Sequence, residues 1–420
     1  MAERDIELKF EDIKFHETDV GVRGVFLKNF YFDIESRELD KMGKWHVKDG
    51  SLLIKGNEDL IRKRFNFLLN GKLAQLQSLN GKRATYIYEG LCPLIGSLYF
   101  GIIDRDTNVI EVRPITGCNQ NCIFCSVDLD CRKRDFVVSV DYLLKEFERV
   151  AAIKLEKLKS GEQIEAHINA QGEPLLYSKL PELIKGLHDT EGVGTISIDT
   201  NAILLTEKKV DELVAAGLTR FNISIESLSA ETASKIAGVA YPLSHIKKIC
   251  EYIATKSQIL LAPVWLHGIN DDDIEEIVKF GLELEKIQSK NGIVQKAPHL
   301  GIQNFLSYDS GKNPVKEQSW YKFYQFLEKL EKKYDIRLKL KREDFGIVKC
   351  KSLEKPFRKD DVVEARLLCP GMMPDEFLAV SEEDKSRIIV IPDSREKRIE
   401  KKIKVKLTRD KYNVFYAKVA

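Results

Sequence analysis

Three thiols fall within eight residues of one another, in Cys118-Asn-Gln-Asn-Cys122-Ile-Phe-Cys125, and the other five cysteines of the chain are scattered. Thiolates are the ligands of iron–sulfur cubanes, which usually take four of them. A loop that offers three wraps one corner and leaves one iron without a protein ligand, open to a chelating small molecule. The competing chemistry is a structural zinc loop, with Cys131 the nearest fourth ligand.

Such a loop needs a rigid platform. From about residue 106 to 340, short apolar runs alternate with amphipathic stretches: NVIEVRPIT, EAHINAQG, TISIDTN, FNISIESL, ILLAPVWLHG and HLGIQNFLSY, with helical segments such as KKVDELVAAGL between them. Strand–helix alternation of this kind predicts βα units on a parallel sheet. Six units make an open, partial (β/α)6 barrel, and in such folds the active site gathers at the carboxyl ends of the strands. The thiol loop follows directly on the first of these runs. The α/β region is expected over 106–345, after an N-terminal mixed α/β extension (1–105) and before a small β-barrel (350–420).

The C-x3-C-x2-C spacing, with the aromatic Phe124 before the last cysteine, resembles the signature of the radical S-adenosylmethionine (SAM) superfamily. That resemblance implies a [4Fe–4S] cluster on Cys118, Cys122 and Cys125, with SAM on the open iron. It further implies reductive cleavage of SAM to a 5′-deoxyadenosyl radical that takes hydrogen from the substrate. Later strand ends match the superfamily's SAM-binding segments in order. Gln171-Gly172-Glu173-Pro174 resembles the Gly-Gly-Glu segment, with Gln for the first Gly, and Thr200-Asn201 resembles the Thr-Asn-Gly segment, with Ala202 for Gly. Ser224 and Glu226 resemble the ribose-contacting pair, and the APVWLHGINDDD turn, with Asn270, resembles the segment lining the adenine. No general acid–base pair is legible, and the cofactor carries the hard chemistry in such enzymes. Gln303 and Asn304, on the sixth run, point towards the expected mouth.

The last region carries five short strand patterns separated by Pro, Gly, Asp and Asn turns, as in an OB-like barrel. It resembles the TRAM domain that follows the radical SAM barrel of tRNA methylthiotransferases. Its basic segment, Arg395, Lys397, Arg398, Lys401 and Lys402, is the expected RNA contact, although Glu396 and Glu400 interrupt it. Methylthiotransferases carry three further cysteines near the N-terminus, where this chain has Cys92 alone. Sulfur insertion is therefore set below carbon chemistry on tRNA, chiefly C-methylation. The specific candidate is threonylcarbamoyladenosine converted to hydroxynorvalylcarbamoyladenosine. A protein or peptide substrate is the other alternative. Cys350 and Cys369 are weighed as methyl-carrying and resolving residues against the plainer reading of buried apolar thiols.

Composition sets the remaining bounds. A hydrophobic share of 43%, a charged share of 31% and a net charge of +2 describe a folded chain whose affinity for nucleic acid must be local. The opening MAERDIELKF has no apolar core of a signal peptide, so the expected location is the cytoplasm, where cysteines stay reduced. The expected partners are tRNA and an electron donor of ferredoxin or flavodoxin type, with neither membrane nor DNA. The aromatic run Phe26, Phe30, Tyr31, Phe32 is read as core.

Overall fold

The computed structural model describes residues 4–78, 80–394 and 396–420. Its centre is a six-stranded sheet in the order Gln258–Leu261, Arg220–Ile223, Val193–Thr200, Ile164–Ile168, Val109–Arg113 and Gly101–Asp104. The first five run parallel and Gly101–Asp104 is antiparallel. Each parallel strand lies beside its neighbour in sequence, and the crossovers are helices: Val140–Leu155, Leu180–Asp189, Glu207–Ala215 and Leu243–Ala254. The helix Leu180–Asp189 shows why they dock. Leu180, Leu183, Ile184 and Leu187 recur at helical spacing and are fully buried, each contributing roughly 1.5–3 kcal/mol of burial.

The sixth expected unit takes a different form. Gln303–Asn304 pairs with Val264–Trp265 as a separate two-stranded ladder, joined to the main sheet through an isolated Leu261–Leu300 bridge. Pro263 is the physical cause: it has no N–H to give, so the run ILLAPVW breaks into two strands at that point. The fold is thus mixed α/β with five consecutive parallel strands, not one continuous six-unit array.

The N-terminal segments form a three-stranded and a six-stranded sheet against the helix Glu58–Leu73, with Phe26, Phe30 and Phe32 buried in the core as expected, whereas Tyr31, on the opposite face of its strand, is only half-buried under Arg23. The six-stranded sheet also takes in Arg134–Val138, which follows the thiol loop and pairs in parallel with Arg83–Ile87. The thiol loop is therefore bracketed by two sheets.

At the other end, Val362–Pro370, Phe377–Ser381, Ile388–Ile391, Phe415–Val419 and Lys402–Arg409 close into a barrel. It is welded to the rest through its backbone: Ile388 N donates to Ile95 O (2.7 Å) and Phe415 N to Gly96 O (3.0 Å). Gly96 is required there, because a Cβ at its positive φ of +126° would lie 2.2 Å from Ile388 O. Among the described residues no helix is long and apolar enough to cross a membrane.

Candidate functional site

Cys118, Cys122 and Cys125 line one cavity of about 280 Å³ at the carboxyl ends of the parallel strands. Phe124, Gln171, Gly172, Glu173, Thr200, Asn201 and Ser224 line it too, joined by Asp199, Asn169 and Gln303. Pro174, Glu226, Asn270 and Asn304 are not part of the lining. Glu226 is buried behind the wall with Oε1 unpartnered, and Asn270 is spent on backbone. Asn270 Nδ2 donates to Glu226 O (2.8 Å) and Val264 O (3.0 Å), while its Oδ1 accepts from Leu266 N (2.7 Å). Asn270 thus shapes the turn that was expected to face adenine.

Three elements hold the thiol loop. The last turn of the helix Ala230–Ala237 presents the carbonyls of Ala237 and Ile236 to Asn121 N and Ile123 N, each at 3.0 Å. Gly238, left-handed at φ +66°, ends that helix where a Cβ would meet Asn121 O at 2.4 Å. The 308–313 loop covers the other side: Ser310 Oγ donates to Ser126 O (2.9 Å), and Lys312 Nζ donates to Asn121 Oδ1 (2.7 Å) and pairs with Asp130 at 3.0 Å. Beneath, a Cβ on Gly172 would lie 2.2 Å from Gly117 O and 2.3 Å from Thr116 O, so the second residue of the Gln-Gly-Glu-Pro segment must be Gly. Arg132, buried, donates to Thr116 O and to Gln171 O, tying both segments together.

Glu173 is a pin rather than a free ligand. Its carboxylate accepts from Thr200 Oγ1 (2.7 Å), Asn201 N (2.8 Å) and Leu175 N (3.0 Å). Burial nevertheless carries its pKa up to about 7 against these donors. Burial likewise lifts Glu226 to about 8. The Cys118 thiol is pushed up to about 12, first by burial and then by Glu173 and Cys125. Cys122 is raised by burial, then by Glu226 and the other two thiols.

Three thiolates in such surroundings are costly without a compensating cation, and an iron–sulfur core supplies one. Among the described residues no three His, Cys, Asp or Glu side chains converge on a single ion position. A single zinc ion asks for that convergence, whereas a cubane offers each thiolate a different iron. Cys131, the candidate fourth zinc ligand, is exposed and is not part of the cavity wall. The donor set fits a cubane.

From Asp199 in the cavity wall, a polar network that the sequence reading missed runs along one face of the parallel strands. Glu165 accepts from Ser197 Oγ (2.6 Å) and pairs with Arg220. His167 contacts Ser197 Oγ through Nδ1 (2.8 Å) and Asp199 Oδ2 through Nε2 (3.1 Å), and Asn222 donates to Asp199 Oδ1 (2.8 Å). Nearly half of the Asp199 side chain (46%) opens into the cavity. Burial works against a charged His167, but Asp199 and then Glu165 and Glu111 carry its pKa up to about 9. The signal was polar residues at alternate positions of otherwise apolar strands: Glu165/His167, Ser197/Asp199, Arg220/Asn222.

Of the expected RNA contacts, most are ion-paired. Lys397 pairs with Asp375, Arg398 with Glu396 (2.8 Å) and Lys402 with Glu382 (2.7 Å), so most of the segment's charge is neutralised within the barrel. Lys401 is exposed, and Arg395 lies outside the described residues. None of the four described cations lines the cavity. Cys350 and Cys369 are buried and are not part of its lining, as the plainer reading of each had it. The methyl-carrying role finds no support in this geometry.

Residues 112–281 match the family described as the Radical SAM superfamily. The chain is 36% identical over 365 residues to protein MJ0103 of Methanocaldococcus jannaschii, covering 82% of each. It is 31% identical over 183 residues to a GTP 3′,8-cyclase of Listeria welshimeri, 42% of this chain and 51% of the cyclase. The chain thus spans about half the length of that relative. Among solved structures, Streptococcus suis SuiB bound to S-adenosylmethionine aligns over 78% of this chain and 70% of its own, with 14% identity and a TM-score of 0.40.

Proposed function

Because the chain belongs to the radical SAM superfamily, whose cofactors are a [4Fe–4S] cluster and SAM, we propose that Cys118, Cys122 and Cys125 hold the cluster and that the enzyme modifies tRNA by carbon chemistry, chiefly C-methylation. The observation that carries the cluster assignment is the convergence of all three thiols on one cavity with the Gln171–Glu173, Thr200–Asn201 and Ser224 strand ends. When bound, the cluster and SAM supply one-electron cleavage to a 5′-deoxyadenosyl radical, which removes a substrate hydrogen. The chain's residues do the rest. Gly172 lets its strand end approach the thiol loop, Glu173 locks that strand end to Thr200–Asn201, and Phe124 presents an aromatic wall. Asp199, held by His167 and Asn222, offers an oriented acceptor on the cavity floor.

The preferred reaction adds a methyl to threonylcarbamoyladenosine, with a second SAM as methyl source and a ferredoxin or flavodoxin as electron donor. Cys92 is the single cysteine before the thiol loop, which keeps sulfur insertion in second place. A free nucleotide substrate is favoured by the likeness to GTP 3′,8-cyclase over the shared half. The test is anaerobic. Iron- and sulfide-reconstituted protein is given SAM, dithionite and tRNA from a strain lacking the gene, and the products are analysed by mass spectrometry. 5′-Deoxyadenosine together with a one-methyl gain on a tRNA nucleoside is expected. Deoxyadenosine with unchanged nucleosides defeats the tRNA reading, and none at all from loaded protein defeats the cluster assignment.

A further inference from the structure

The parallel pairing of Arg83–Ile87 with Arg134–Val138 sets Arg83 directly opposite Arg134. Like charges facing each other across a ladder repel. Both arginines line a cavity of about 450 Å³ whose other walls are Ala74, Gln75, Leu76 and Gln77, with no carboxylate among them. Arg134 is half-buried and uses one donor on Thr85 Oγ1 (2.9 Å). The Gln77 carbonyl already accepts from the Tyr31 hydroxyl (2.8 Å), which leaves its amide N–H groups for a ligand. Burial lowers the pKa of the Arg134 guanidinium; the Cys369 thiol opposes this and Arg83 adds to it. The cavity is a set of cations and amides with no counter-charge.

Two other basic groups are compensated by their neighbours. Lys82 bonds Leu129 O and lies amid Asp135, Asp130 and Asp128, and the barrel's Lys397, Arg398 and Lys402 are ion-paired. The position also matters. Arg134 comes two residues after Arg132, which lines the thiol cavity, and extended chain spans about 7 Å in that distance.

We propose that Arg83 and Arg134 form a phosphate-binding site that anchors the substrate beside the thiol cavity. The inference rests on the nucleic-acid reading and deepens it by moving the phosphate contact from the C-terminal barrel to the N-terminal sheet. Two guanidinium forks suit a phosphate, which accepts paired hydrogen bonds from each. A tRNA backbone and a free nucleotide present the same group.

The test uses cluster-loaded full-length protein and fluorescence anisotropy with two probes, labelled unmodified tRNA and a labelled nucleoside triphosphate, across a salt series. Arg83→Glu, on an exposed residue, and the double variant Arg83→Gln/Arg134→Gln are compared with Lys397→Gln/Arg398→Gln, and thermal midpoints check folding. Arg83→Glu is expected to weaken tRNA binding about tenfold, and the double variant to lower the salt slope by about 2, one per lost phosphate contact. The Lys397/Arg398 variant should stay within about twofold of the parent, because exposed ion-paired cations have little to give. Tight tRNA binding that Arg83→Glu leaves intact overturns the site while the tRNA reading stands. Triphosphate binding that depends on Arg83, with no binding of tRNA, keeps the site and overturns the tRNA reading. Binding of neither probe overturns both.

Discussion

At the scale of single residues, the cavity sets three thiols beside a pinned Glu173 carboxylate and a half-open Asp199. Each of Cys118→Ala, Cys122→Ala and Cys125→Ala should abolish the visible iron–sulfur absorption and most bound iron, whereas Cys131→Ala should retain both. Iron and sulfide assays on anaerobically reconstituted protein check this. If Cys131→Ala loses iron as the others do, the three-thiol assignment is wrong. His167 has a raised folded pKa of about 9 against an ordinary value near 6.5. Its contribution to stability is thus fully present below about pH 6.5 and is lost as pH rises through about 9. The imidazole proton shifts should titrate near that upper value by NMR, and Asp199→Asn should bring the midpoint down. A midpoint in Asp199→Asn equal to the parent's would detach His167 from Asp199.

At the scale of elements, the thiol loop is shaped by neighbours whose role depends on close backbone approach. Gly172→Ala places a methyl 2.2 Å from Gly117 O and should cost roughly 1–3 kcal/mol. Denaturant unfolding reads that cost, and SAM affinity should fall with it, because the same two segments line the cavity. Gly238→Ala adds a left-handed penalty of about 1–2 kcal/mol to a contact of 2.4 Å with Asn121 O. It should lower iron retention without touching a thiol, and unaltered iron loading would show that the helix end does not hold the loop.

At the scale of the whole molecule, the C-terminal barrel is part of the body rather than a tethered module. Its strands donate backbone hydrogen bonds to the carbonyls of Ile95 and Gly96, and Tyr99 donates to Glu376 (2.7 Å) across the same seam. Deleting 356–420 should therefore expose buried backbone and yield insoluble protein, not a soluble enzyme that has merely lost RNA affinity. Gly96→Val is the gentler form of the experiment, since its side chain meets Ile388. It should speed proteolysis near residue 355, as mapped by mass spectrometry of the fragments. Parent-like cleavage rates would mean the seam carries little of the barrel's stability.

The local patterns settled much of this in advance. Thiol spacing is covalent arithmetic, strand–helix alternation follows from the periodicity of buried side chains, and turn residues marked the strands of the last region. Phe26, Phe30 and Phe32 fell in the core for the same reason. Pro263 was visible too, but its effect depends on whether a ladder needs its missing N–H, and that is a property of the neighbouring strand. Tertiary structure alone decided which polar groups meet. Lys397, Arg398 and Lys402 read as a basic patch until folding brought Asp375 and Glu382 across the barrel and Glu396 against Arg398. Arg83 and Arg134 are far apart in sequence and became an uncompensated pair only through strand register. Electrostatics depends on distance through space, and distance through space is what the order of residues leaves open.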